Sequence, residues 1–182
     1  MHHLLTEKRQ SQMMSEMTIL LVVLCLERSK GMVIDMKMKD VIISITGKQN
    51  DPSGEDNIIE LETDGVFAYE NGEGMLSYME SELTGLDGTK TSFAIGPMGV
   101  VMTREGSLNS RMVFEKGKKH NFLYETPFGS ATMGVNTTNI SVSFDEHGGD
   151  MEIDYVVDFQ HSVVGHNMFK IKVSEQKEEC NG

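Results

Sequence analysis

Between Val41 and Val173 apolar and polar residues alternate with a period of two, in segments of about five to ten residues separated by glycine-rich or polar turns. Successive side chains of a strand point to opposite faces, so each such segment has one face for a core and one for water. No convincing amphipathic helix interrupts the pattern, since that would need apolar residues three and four apart. The clearest case is 151–160, where every odd position from Met151 to Phe159 is apolar or aromatic and the even positions are mostly acidic. The same alternation carries Ile140, Val142 and Phe144, and again Phe169, Ile171 and Val173. Earlier strands are expected at 41–47, 57–63, 65–70, 75–83, 89–95, 99–105, 109–116 and 120–126. The separators have recognisable turn chemistry: Asp51-Pro52-Ser53-Gly54, Asn71-Gly72, Asp87-Gly88, Gly96-Pro97, Glu105-Gly106 and Gly148-Gly149. His161 and His166 are expected to bracket a further hairpin.

An all-β fold of about ten strands must hide its sheet edges. Hairpin follows hairpin with no long crossover to build a Greek key, so the expected architecture is a closed antiparallel up-and-down β-barrel. Two packed sheets are the alternative.

A chain of 182 residues with 18 glycines and 3 prolines is sized for one domain with a sizeable core. Its formal charge of -12 has the wrong sign for phosphates, which argues against a nucleic acid or an anionic membrane as partner. The two cysteines, Cys25 and Cys180, stand near opposite ends with neither CxxC spacing nor a disulfide framework. Reduced, idle thiols and a cytoplasmic location follow as expectations.

Residues 1–31 differ from the rest. They carry four basic and three acidic residues, and their apolar run, 17–26, is shorter than the roughly 20 residues that span a bilayer. No small-x-small cleavage site follows Leu26, and Leu24 rather than a small residue precedes Cys25, so export is not indicated. The stretch Glu27-Arg28-Ser29-Lys30-Gly31 before Met32 back-translates to a purine-rich ribosome-binding sequence, which makes Met32 a candidate start. The expected organisation is an extension at 1–31, disordered, poorly anchored or not translated, one barrel domain at 32–175, and a tail at 176–182.

Several strings, in this order, resemble the YwiB-like family of uncharacterised bacterial proteins. They are Leu76-Ser77-Tyr78 with Glu80, Met102-Thr103-Arg104 with Gly106, and Arg111-Met112 with Phe114. Tyr124 with Thr126-Pro127-Phe128-Gly129, the most specific of them, and Asp154-Tyr155 before Asn167 complete the set. The resemblance runs over about 37–175 and implies a single barrel of the calycin, lipocalin-like superfamily. It implies no established activity and so no catalytic residue. The loop 48–56, the tail from Gln176 and the extension before Met32 match nothing characteristic.

Charge on an inward face needs a partner or a ligand. Glu80 shares parity with Leu76 and Tyr78, and Arg104 with Val100 and Met102, so both are expected inside the barrel. One reading joins Glu80, Arg104, Tyr78, Tyr124 and Thr126 in a polar cluster of a ligand cavity, where the arginine fixes an anionic or carbonyl group. The other makes the same residues a buried ion pair and hydroxyl network that sets strand register. Arg111 shares parity with Val113 but not with Met112 and Phe114, and either adds a second guanidinium to the cavity or lies over the outer surface against acids. The methionines, spread over most strands, read as core filling or as the lining of an adaptable cavity.

No metal or cofactor is expected. The histidines of the body lack ligand spacing, and His147 sits in a turn beside Asp145, Glu146 and Asp150. There is no GxSxG string, and Gly96-Pro97-Met98-Gly99 precedes no helix that could hold a phosphate. The leading expectation is therefore a non-enzymatic barrel that binds a small molecule. The alternatives are a filled barrel whose acidic face meets a basic protein partner, and a hydrolase or isomerase with Glu80 as general base and Arg104 as electrostatic stabiliser.

Overall fold

The computed structural model describes residues 36–50 and 56–176. The extension 1–31 and both cysteines lie outside them. The compact unit that holds the barrel begins at Met36.

Ten strands form the fold: β1 (Lys39–Asn50), β2 (Asp56–Glu70), β3 (Glu73–Met79), β4 (Lys90–Gly96), β5 (Gly99–Glu105), β6 (Asn109–Phe114), β7 (Lys119–Thr126), β8 (Gly129–Asp145), β9 (Gly148–Phe159) and β10 (Ser162–Glu175). Each pairs antiparallel with the next, and β1 pairs with β10, so the sheet closes into an up-and-down barrel. The two-sheet alternative is thereby set aside. No α-helix occurs among the described residues; one turn of 3-10 helix, Glu82–Thr84, lies between β3 and β4. Lys39 on β1 bonds Glu175 on β10 at 2.6 Å across the closing seam. Hydrogen bonds from Lys39 and then His147 hold the Glu175 carboxyl below its usual range.

The inward faces make one core, with Val41, Ile43, Phe67, Leu76, Phe93, Val100, Phe114, Val135, Met151, Ile153 and Ile171 among its buried members. Met102, Met112 and Met151 belong to it, whereas Met79 and Met98 are exposed. Aromatic contacts tie distant strands together: Phe93 stacks on Phe169 with centroids 5.7 Å apart, and Phe114 meets Tyr155 edge-on at 5.1 Å.

The strand reading needs four corrections. The strand expected at 75–83 ends at Met79, and its last residues enter the 3-10 turn Glu82–Thr84. The expected strands 57–63 and 65–70 are one, β2, because Asp64-Gly65 is not a turn. Gly65 faces inward, and a Cβ there would stand 2.3 Å from Ile43 Cδ1 and 2.6 Å from the Ser77 carbonyl oxygen, so this glycine marks close packing inside a strand. The segment 129–139 is strand as well, although its residues are mostly small and polar; a bulge between Thr137 and Asn139 shifts the register ahead of Ile140. His161 and His166 do not bracket a turn. Gln160 and His161 form it, both with positive φ (49° and 70°), while His166 lies inside β10 opposite Val156.

Strands β6 and β7 pair only through Asn109–Glu125 and Ser110–Tyr124. Beyond that point the connecting turn bonds β8 instead, from the Gly117 amide to the Thr137 carbonyl and from the Thr137 amide to the Lys118 carbonyl. Buried His120 and Glu115, 3.3 Å apart and joined by Lys118, occupy the resulting wedge.

Candidate functional site

In a meander barrel successive hairpins alternate between the two ends. The β1–β2, β3–β4, β5–β6, β7–β8 and β9–β10 connections therefore share one end, and the site opens there. Register builds it. Tyr78 on β3 pairs with Thr91 on β4, Thr91 with Arg104 on β5, Arg104 with Ser110 on β6, and Ser110 with Tyr124 on β7. All share the inward parity of their strands, so five adjacent strands contribute polar side chains to one level of the barrel, above a core of Phe93, Met102 and Met112. Glu80 follows the end of β3, and its amide bonds the Thr89 carbonyl at 2.9 Å, which continues the ladder long enough to turn its side chain inward.

The Glu80 side chain is 2% exposed. Its Oε1 accepts from the Thr91 hydroxyl at 2.6 Å and, more weakly, from the Tyr78 hydroxyl at 3.4 Å. Arg104 Nε stands 3.7 Å from the same oxygen, close enough for an ion pair but too far for a hydrogen bond. That Nε is buried and has no hydrogen-bond acceptor among the described residues. Burial, and then the charge of Glu80, push the Tyr78 hydroxyl well above its ordinary value of 10.0. Burial also raises Tyr155, against the lowering effect of Arg104. Both phenols are therefore neutral hydroxyls at physiological pH.

These groups form the polar wall of a cavity of about 190 Å³. Tyr78, Glu80, Arg104 and Tyr155, with Lys48, Gln49, Asn57, Thr84 and Asn167, supply its polar lining, and Ile45, Ile59, Leu61, Leu86 and Phe169 most of its apolar lining. Met168 is the one methionine among the lining residues, so the reading of a methionine-lined cavity is not supported. A larger cavity, about 400 Å³, opens at the opposite end between Tyr69, Ile95, Met98, Val100, Ile140 and Val142. Its only charged liner, Lys116, bonds Asn139 at 2.9 Å. Of these two the smaller cavity is the better candidate, because it joins the buried charge of Glu80 to open volume.

Of the six residues expected at a ligand site, Tyr78, Glu80 and Arg104 come together. Tyr124 belongs to the same cross-strand row but does not line the cavity, and it packs instead against the core. Thr126 is a turn residue: its hydroxyl donates to the Gly129 carbonyl and accepts from the Phe128 amide. Arg111 is exposed on the outer face opposite Thr103, so it adds no guanidinium to the cavity. Sequence reasoning missed Thr91, Tyr155 and Asn167. Parity could have found the first two, since Thr91 alternates with Phe93 and Ile95 and Tyr155 with Met151 and Ile153.

A family model described as a domain of unknown function, DUF1934, matches residues 43–171. The chain belongs to that family. The DUF1934 match runs from β1 to β10 and so includes every strand of the barrel. The crystal structure of the ywiB protein from Bacillus subtilis resembles the chain with a TM-score of 0.65 at 21% identity, over 78% of this chain and 96% of that one. At that identity the likeness shows the shared barrel fold, as the sequence strings implied. No curated protein matches the chain. Among the described residues no cluster of histidine, cysteine, aspartate and glutamate is placed to hold a metal ion, and no helix is long and apolar enough to cross a membrane.

Proposed function

We propose that this DUF1934 protein is a non-enzymatic, calycin-like barrel that binds a small molecule in the cavity at the hairpin end, with Arg104 holding an anionic or carbonyl group of that molecule. The observation that carries the reading is the Arg104 Nε, buried in a cavity wall without an acceptor. A buried donor left unpaired costs about 1–3 kcal/mol, which a ligand oxygen would recover. Glu80 does not meet this need as placed, because its nearer oxygen stands 3.7 Å from the Nε, beyond hydrogen-bond reach. The bond that this oxygen accepts from Thr91, with 2% exposure, weighs against Glu80 as a general base and hence against a hydrolase or isomerase. A cytoplasmic location belongs to the proposal and rests on a sequence with two cysteines in neither CxxC spacing nor a disulfide framework.

Native mass spectrometry of the full chain, purified without denaturation, tests the reading. The expected result is a stoichiometric small-molecule adduct that Arg104→Gln loses and Thr126→Ala keeps. A clean unliganded mass for the unmodified chain contradicts it and favours the interaction scaffold. Phe128, 99% exposed at the β7–β8 tip, and Leu83, 74% exposed after β3, would then be the apolar contacts offered to a basic partner, with exposed Glu82, Asp87, Glu105 and Glu125 near them.

A further inference from the structure

We infer that the ligand of this cavity is a small monocarboxylate with a short apolar body, whose carboxylate takes the Arg104 Nε and the Tyr155 hydroxyl. The inference deepens the small-molecule reading and rests on it. Four features of the cavity select the class.

The first is charge. The ionisable groups that line the cavity are Arg104, Lys48 and Glu80, apart from the two neutral phenols, and together they carry one net positive charge. A monoanion brings the cavity to neutrality. A dianion such as a phosphate monoester would leave an uncompensated negative charge inside a chain already at -12. An amine would add a further positive charge beside Arg104, and the one acid that lines the cavity, Glu80, is already the counter-charge of Arg104.

The second feature is the set of unused donors. Arg104 Nε has no acceptor, and no hydrogen bond from the Tyr155 hydroxyl is found among the described residues, whereas the Tyr78 hydroxyl is turned to Glu80. Unused donors call for a ligand that accepts, and a carboxylate accepts through both oxygens. An amide offers a single acceptor and must also bury two N–H donors beside a guanidinium.

The remaining features are shape and size. Ile45, Leu61, Leu86 and Phe169 line the cavity as well and offer an apolar body a surface to pack on, while Gln49, Asn57 and Thr84 are the further polar residues of the lining. At about 30 Å³ per water, a volume of about 190 Å³ provides room for about six water-sized groups. That admits an acid of about six carbons and not a long-chain one.

The test uses the full chain and four probes that share a six-carbon body: hexanoate, hexanamide, hexylamine and hexyl phosphate, each titrated by calorimetry. Hexanoate is expected to bind at least tenfold tighter than the amide or the phosphate, and the amine to give no binding heat. Arg104→Gln should bring hexanoate down to the level of hexanamide. Arg104→Lys, which keeps the charge but not the planar donor, should restore part of the difference. Tyr155→Phe, whose ring still packs on Phe114, should weaken hexanoate several-fold and leave hexanamide within twofold. If the amide, amine or phosphate binds as tightly as hexanoate, the carboxylate class is overturned while the small-molecule reading stands. If none of the four binds, the class is overturned too, and the small-molecule reading is then decided by the mass spectrum of the purified chain alone.

Discussion

Replacing Phe93 by alanine lowers the unfolding free energy by about 3–5 kcal/mol, among the largest losses any single truncation in this barrel will produce. Phe93 is fully buried on β4, directly beneath the polar row, and its ring stacks on Phe169 from β10 across the barrel. Truncation removes the apolar surface of the ring and leaves a hole, because the surrounding strands are fixed by ladder hydrogen bonds and close over it only in part. Phe169 also lines the ligand cavity, so the loss of its stacking partner loosens one apolar wall of the site. Urea denaturation followed by circular dichroism measures the effect: the midpoint falls while the slope with denaturant stays that of the unmodified chain. Leu83→Ala, at a residue 74% exposed, is the control and is expected within about 0.5 kcal/mol of the parent. A Phe93→Ala loss below about 1 kcal/mol would mean that β4 and β10 do not face one another across a packed interior.

The second large effect belongs to Glu80. Glu80→Leu leaves the Arg104 guanidinium without its counter-charge and the Tyr78 and Thr91 hydroxyls without their acceptor. Breaking a fully buried pair costs about 3–5 kcal/mol. The Arg104 side chain is 21% exposed and keeps some solvent screening, so a loss of about 2–4 kcal/mol is expected here. Arg104→Met alone strands a nearly buried carboxylate and is expected to cost a similar amount. The double variant Glu80→Leu, Arg104→Met should be more stable than the two single losses imply, by about 1–3 kcal/mol of coupling. Additive losses, measured by denaturation of all four proteins, would show that the 3.7 Å separation carries no interaction. The stability cycle and the binding assays report different things: the cycle measures what the pair contributes to the fold, and ligand affinity measures what the free side of Arg104 is for.

The barrel was legible because the hydrophobic period is imposed wherever one face is buried and the other wet. Met151, Ile153 and Tyr155 on β9, or Ile171 and Val173 on β10, leave no other arrangement, and the two-residue turn at Asn71-Gly72 announces its hairpin. The signal failed where packing replaced periodicity. Gly65 resembles a turn residue in sequence, yet its role is to let Ile43 and the β3 backbone approach, a contact between segments that no local pattern encodes. The first half of β8 went unread for a related reason. Ser130, Thr132, Asn136 and Thr137 carry little apolar alternation, and the bulge then shifts the phase before Ile140, so the segment is a strand by virtue of the neighbours it pairs with.

The site was legible to the extent that parity reaches. Glu80 and Arg104 could be placed inside because a charge at an inward position is an anomaly that one strand displays by itself. Thr91 and Tyr155 are inward by the same rule, but threonine and tyrosine are ordinary strand residues and raise no alarm. Tyr124 and Thr126 stood in a specific sequence string, and that string serves the β7–β8 turn. Arg111 could not be assigned from parity because its strand has apolar residues at both parities, Met112 and Phe114 inward and Val113 on the other face.

The measurement that bears most directly on the account is a crystal structure of the full chain, purified natively and grown with hexanoate, read at Arg104. The predicted result is a carboxylate oxygen about 2.7–2.9 Å from Nε, with Glu80 still accepting from Thr91 and the apolar walls in contact with the carbon chain. The contradicting result is an Arg104 closed onto Glu80 as a bidentate pair, with neighbouring side chains filling the cavity, for then the arginine serves the barrel alone.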